Sequence, residues 1–223
     1  MNNRIFHAIK LDFYTLKSTS IAVSVTVIAV IISLVIGAAT KQPAFTIGFF
    51  MVLTQFVSGT IFSTNEKSRS DRLYGVLPLR KNEMIAGRYV YALIIGVISL
   101  VIAIILTLLV SRLFGANASS LLFFIALAAA FAYYCFAVGV TYPLYLRFSF
   151  SKAYVYTMLP IYFIFLIGMF LARRTNFLSN IDQSISFFSD KQPLILVIGV
   201  AVGLALLAAS AFIANRIYKR KEI

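Results

Sequence analysis

Long uncharged, largely apolar runs separated by short charged clusters set the pattern of this chain. A charge held at the centre of a bilayer costs several kcal/mol, so gaps between charged residues mark out membrane crossings. Lys17 and Lys41 enclose 23 uncharged residues, Lys41 and Glu66 enclose 24, Arg88 and Arg112 enclose 23, Lys152 and Arg173 enclose 20, and Lys191 and Arg216 enclose 24. At about 1.5 Å per helical residue, each run reaches across a hydrocarbon core of about 30 Å. The remaining gap, residues 113–146, holds 34 residues and would make a straight helix of about 51 Å, too long for one crossing. Within it, "GANASS" at 115–120 has the Gly, Asn and Ser content of a turn. The pattern therefore predicts an all-α, polytopic membrane protein with a single transmembrane domain. Its six helices fall at about 19–40, 43–64, 89–111, 121–142, 153–172 and 193–214.

Composition supports the bilayer as solvent. A mean hydropathy of +0.94, with 61% hydrophobic and only 12% charged residues, leaves too little polar surface for a soluble domain of this size. The net charge of +13 admits two partners, nucleic acid or anionic lipid. In a membrane protein basic residues gather on the cytoplasmic side, so membrane lipids are expected and nucleic acid is not. Six crossings put both termini on one side. With the termini inside, only Lys41, Arg112, Arg173, Arg174 and Lys191 of the 20 basic residues lie outside, and the positive-inside rule selects cytoplasmic termini in the plasma membrane. The first apolar run is about twice the length of a signal-peptide core and follows 17 mostly polar or amphipathic residues, which reads as an uncleaved anchor.

Three segments are neither span nor minimal loop. In residues 1–18, Ile5, Ile9, Phe13 and Leu16 form an apolar stripe opposite Arg4, His7, Lys10, Tyr14 and Lys17. This is an amphipathic helix, either lying in the inner interface, the favoured reading, or extending the first span into the cytoplasm. Residues 65–83 carry eight of the 27 charged side chains in 19 positions. Ser68 with Asp71 forms a possible capping pair, Arg69, Arg72, Leu73 and Tyr74 share a short helix, Gly75 stops it and Pro78 blocks continuation. Arginine mixed with apolar and aromatic residues on a projecting element fits either a docking surface or a solvated basic loop that fixes topology. The external segment 173–192 places Phe177, Leu178, Ile181, Ile185 and Phe188 on one stripe, as a surface cap or an external gate.

Several chemistries are excluded or disfavoured. Cys135 is the single cysteine and His7 the single histidine, so neither an intrachain disulfide nor a His/Cys metal cluster forms within one chain. No charged residue falls deep in a predicted span, which argues against proton or ion coupling. Gly-Lys is absent from the sequence, so a phosphate-cradling Walker A loop is too. No catalytic residue, cofactor site or metal site is expected, and another subunit must supply energy for any transport. The polar groups inside the spans are soft: Gln55, flanked by Thr54, Ser58, Gly59 and Thr60, and the tyrosines 133, 134, 142, 145, 156 and 162, with Pro143 and Pro160 able to kink their helices. Thr54, Gln55, Ser58, Tyr156 and Tyr162 are the candidates for a translocation path; the alternative role for such residues is helix packing and interfacial anchoring.

The stretch "NEKSRSDRLYGVLPLRKNEMIAGRY", residues 65–89, resembles type-2 ATP-binding-cassette permeases. Their pattern has an acidic residue ending the second helix, a short helix, Leu-Pro, a basic and acidic run, and an Arg-Tyr or Lys-Tyr pair. Here those positions read Glu66, Leu77-Pro78, Arg80-Lys81, Glu83 and Arg88-Tyr89; the chain departs at Leu79-Arg80, where a small hydroxyl residue is usual. The layout is similar over the full length. The resemblance implies that residues 65–88 form a cytoplasmic coupling segment in which Ser68, Arg69, Asp71, Arg72, Leu73, Tyr74 and Gly75 dock a separate ATP-binding subunit, and that residues 4–17 match the connecting helix. It implies two permease subunits, a homodimer being favoured, with ATP and Mg bound in the partner ATPases. Among small six-span members the chain looks closest to exporters of amphipathic peptides, such as phenol-soluble modulin exporters and bacteriocin self-protection systems. Export of a lipid-like molecule or drug, and a non-transporting scaffold or sensor, are the alternatives.

Overall fold

Prolines, glycines and hydroxyl groups decide where the helices begin and end in the computed structural model, which describes residues 12, 14, 20–40, 42–68, 81–115, 120–148, 150–158 and 192–219. Helix α1 spans Ser20–Thr40. The Phe45 N–H then donates to Gln42 O at 3.1 Å, and Pro43 opens α2, Pro43–Ser68, where its missing N–H is no loss. Helix α3, Lys81–Phe114, ends at Gly115, whose φ of 63° is the left-handed conformation that closes a helix without a Cβ penalty. Helix α4 runs Ser120–Arg147, α5 Phe150–Thr157 and α6 Gln192–Lys219. No strand occurs among the described residues.

Five of these helices are long and apolar enough to cross a membrane: Ala22–Thr40, Ala44–Thr64, Asn82–Phe114, Leu122–Arg147 and Pro193–Ile217. They coincide with five of the six predicted spans. The fifth predicted span is represented by α5 at its start, and the rest of it lies outside the described residues, as do residues 69–80, 173–191 and most of the N-terminal segment. Four helices outrun their predicted bounds, α4 and α6 by continuing to Arg147 and Lys219. Helix α2 continues to Ser68 and α3 begins at Lys81, so α3 alone, with 34 residues, is about 51 Å long against a core of about 30 Å. Its first turns, which carry Glu83 and Arg88, are the part that charge avoidance assigns outside the core.

Burial makes α2 the centre of the bundle: 61% of its crossing is buried, against 22% for α1 and 17% for α6. It packs against α1, α3 and α4 and touches α5, while α6 lies mainly on α4 and secondarily on α3. Small residues set the closest approach. A Cβ at Gly199 would stand 2.6 Å from Ala128 Cβ, 3.0 Å from its Cα and 3.1 Å from its carbonyl oxygen, and a Cβ at Gly203 would stand 3.1 Å from Cys135 Sγ. Gly199 and Gly203, four residues apart, thus let α6 close on α4 at backbone distance, the packing available where lipid supplies no hydrophobic drive. Outer faces remain apolar, with Val23, Val27, Ile31 and Val35 exposed on α1 and Val197, Ile198, Phe212 and Ile213 on α6.

Pro143 lies inside α4 and removes the N–H that would bond the Gly139 carbonyl one turn earlier. Ser210 of α6 replaces that N–H: its Oγ donates to Gly139 O at 2.6 Å, and Tyr89 OH of α3, 2.7 Å away, donates to Ser210 Oγ. One freed carbonyl is thereby satisfied by a relay through three helices, which is how a membrane helix tolerates an interior proline.

Candidate functional site along the central helix

Hydroxyl and amide groups on α2 face tyrosines on α4. Gln55, in the middle of the Ala44–Thr64 crossing, is 7% exposed. Tyr133 OH donates to its Oε1 at 3.3 Å, whereas its buried Nε2 has no hydrogen-bond partner. Thr54 and Ser58 differ. Thr54 Oγ1 donates to Phe50 O at 2.8 Å and Ser58 Oγ to Gln55 O at 2.8 Å, so both hydroxyls turn back on their own helix, as Ser and Thr do in apolar surroundings. Tyr134 OH donates to Ala92 O at 2.7 Å and Tyr142 OH to Ser58 O at 3.1 Å. Three tyrosines of α4 thus hold α2 and α3 in register. Of the other candidate path residues, Tyr156 is exposed and stacks on Phe148 at 6.5 Å, apart from Gln55, and Tyr162 lies outside the described residues.

Toward the Ser68 end the seam becomes aromatic and charged. The Arg88 guanidinium, buried, sits 4.7 Å over the Phe62 ring, a cation–π geometry that gains strength away from water. Phe62 meets Tyr142 edge-on at 4.9 Å and Tyr145 at 5.0 Å, Tyr142 meets Tyr89 at 5.4 Å, and Tyr145 stacks on Phe150 at 5.0 Å. The Phe150 N–H, at the start of α5, donates to Glu66 Oε2 near the end of α2. A carboxylate there satisfies an orphan helix donor and complements the helix dipole. The residues on which segment 69–80 is rooted, the end of α2 and the start of α3, therefore share one junction with α4 and α5.

Asp12 enters the same region. It is helical, 2% exposed and close to Tyr91 and Tyr142. Tyr14, two residues on, is 62% exposed. Sequence reading passed over Asp12, yet a signal existed: it is the only acidic residue before Glu66, and it falls three residues after Ile9 and four before Leu16, on the apolar stripe. A carboxylate at that position needs protein rather than lipid opposite it. Ser210 was likewise unassigned, although Pro143 announces a freed carbonyl at Gly139. Ser68 is the last residue of α2; Arg69, Asp71, Arg72, Leu73, Tyr74 and Gly75 lie outside the described residues. No group of three or more His, Cys, Asp or Glu side chains converges as a metal site among the described residues.

Residues 8–219 match the family described as ABC-2 family transporter protein. The chain belongs to the ABC-2 transporter family. It is therefore a multi-pass membrane protein of a transport system, the membrane component rather than the ATPase, and its family implies an ATP-binding-cassette partner. Comparison with curated proteins gives no match. Within the ABC-2 frame, the aromatic and arginine junction lies where segment 69–80 joins the bundle, and the Gln55–Tyr133 contact lies at the middle of its most buried crossing.

Proposed function

We propose that this chain is the permease subunit of an ATP-driven exporter that moves amphipathic peptides out of the cell. It works as a homodimer with two cytoplasmic ATPases that bind ATP and Mg. Six crossings place both termini in the cytoplasm, and residues 69–80 form the element that docks the ATPase, with Arg72, Leu73 and Tyr74 as its anchors. The observation carrying this reading is the junction of Phe62, Glu66, Arg88, Tyr142, Tyr145 and Phe150 in an ABC-2 chain. A force applied to segment 69–80 reaches four helices there at once. The basic residues Arg88, Arg147, Lys152 and Arg216 lie toward the same end of the bundle, in keeping with a cytoplasmic face. The path runs beside α2 at Gln55 and Tyr133, bordered by Thr54 and Ser58. Soft polar groups with few charges suit an amphipathic cargo better than an ion.

The test is to reconstitute the permease with its ATPase and measure peptide-stimulated ATP hydrolysis and export. Leu73→Glu and Tyr74→Glu are expected to leave insertion intact and to lower both activities about tenfold or more, because a charge replaces a docking anchor. Full activity in both variants would remove the docking assignment. Absence of any peptide effect on the unmodified complex would instead point to the scaffold or sensor role.

A further inference from the structure

Gln55 is the buried polar side chain in the middle of a crossing whose donor has nothing to donate to. Its residue is 7% exposed, Nε2 is buried without a hydrogen-bond partner, and Oε1 is already engaged by Tyr133 OH. Neither neighbouring hydroxyl accepts from Nε2: Thr54 and Ser58 point back along their own helix, to Phe50 O and Gln55 O. Hydrocarbon surroundings make an unmade amide bond costly. An amide retained under those conditions destabilises the very arrangement in which it is found, and any ligand able to accept its N–H groups shifts the protein toward a conformation that opens this seam.

Resting on the export reading above, we infer that Gln55 Nε2 is a recognition donor for a carbonyl oxygen of the transported molecule at mid-bilayer. Two sources present that chemistry inside a membrane. An amphipathic helical peptide carries four free carbonyls in its last turn, and a diacyl lipid carries ester carbonyls. Tyr133, half-buried beside the amide, holds Oε1 and so orients Nε2. A purely structural glutamine would behave oppositely on replacement: its loss would remove packing and weaken the fold, whereas loss of an orphan donor relieves the fold and deletes recognition.

Gln55→Leu and the closer isostere Gln55→Met distinguish these outcomes in the full-length permease in nanodiscs. Unfolding is followed with a thiol-reactive fluorophore on Cys135, which is buried and the only cysteine. Paired with Tyr133→Phe, so that the tyrosine hydroxyl that donates to Oε1 is not orphaned in turn, both variants are expected to raise Tm over the unmodified protein by about 3 °C or more, from relief of the unpaired amide. They are also expected to weaken binding of a synthetic amphipathic helical peptide about tenfold, read from its stabilisation of the permease. A second arm compares nanodiscs of ester-linked phosphatidylglycerol with ether-linked phosphatidylglycerol, which lacks the carbonyl. If the ester-specific stabilisation disappears in the variants while peptide stabilisation persists, the acceptor is a lipid ester; the reverse identifies a peptide carbonyl. A fall in Tm in both variants when each is paired with Tyr133→Phe, or both stabilisations left intact, overturns the inference. Binding is read without the ATPase, so failure of ATP-driven export in the unmodified complex would count against the export reading alone.

Discussion

Replacing Ser210 by Ala removes the donor that Pro143 makes necessary. Two bonds go at once: Ser210 Oγ to Gly139 O at 2.6 Å and Tyr89 OH to Ser210 Oγ at 2.7 Å. Leaving a buried acceptor unsatisfied costs about 1–3 kcal/mol, while interhelical hydrogen bonds in a membrane protein average about 0.6 and reach about 1.7 kcal/mol. Gly139 O has no N–H to fall back on, so the expected loss is about 2 kcal/mol, or a Tm lower by about 4–8 °C for a chain of this length. Cys135 reactivity with a fluorogenic dye during heating reads the transition. The decisive step is the second mutation. Pro143→Ala returns an N–H to the i→i−4 bond of Gly139, so in the Ser210→Ala background it is expected to restore about 1 kcal/mol, while alone it changes little because a carbonyl can accept two bonds. The cycle should therefore show a coupling energy of about 1 kcal/mol. Strictly additive effects, or a Ser210→Ala protein with unchanged Tm, would refute the assignment of Ser210 as the partner of the proline-freed carbonyl.

Close packing and the junction give further outcomes. Gly199→Leu should destabilise by about 2 kcal/mol or more, because its Cβ already meets Ala128 backbone atoms at 3.0 and 3.1 Å and backbone cannot step aside; Gly48→Ala, with nothing within 4 Å of the new Cβ, should be neutral or slightly stabilising. Thermal unfolding in detergent compares the pair. Glu66→Ala removes the acceptor of the Phe150 N–H and should cost about 1 kcal/mol, with Glu66→Gln retaining part of it; equal stability of all three proteins would show that the contact does not hold α5. Asp12→Ala should loosen the N-terminal segment, read as faster proteolysis before residue 20, and unchanged cleavage would separate Asp12 from any anchoring role.

Charge avoidance is a one-dimensional property, which is why gaps such as 89–111 and 192–215 place membrane helices well from sequence. Where those helices stop is not, because a helix does not end where the hydrocarbon does. Glu66 and Arg88 bounded the predicted spans, yet both are helical, because a helix can continue past the charge that ends its apolar run. The close backbone approach of α6 to α4 was readable but unread: Gly199 and Gly203 form the small-xxx-small spacing that brings membrane helices together. By contrast, the Glu66–Phe150 bond joins residues 84 apart and depends on α5 starting beside the end of α2. Nothing in the local pattern of either segment indicates it. The Gln55 amide lies between these cases, since sequence marks it as the carboxamide inside a span, and only packing shows that its acceptor is engaged and its donor is not.

The placement of these groups on α2 gives the helix a mechanical role. Gln55 and Glu66 are eleven residues apart, about 16 Å along the axis, and hydrogen bonds or aromatic contacts hold the intervening stretch to α4 through Tyr142 and Tyr145 and to α3 through Arg88. A helix so constrained responds to a push at its Ser68 end by tilting or sliding as a body rather than by bending locally. Packed interfaces have discrete arrangements rather than continuous ones, so such a displacement must break or exchange particular contacts. The bond from Tyr133 to Gln55, 3.3 Å long, lies at the far end of the lever from Glu66. Under the docking role proposed above, motion delivered through segment 69–80 strains the Tyr133–Gln55 bond, while the stacked junction of Phe62, Tyr145 and Phe150 travels together and carries α5 with it.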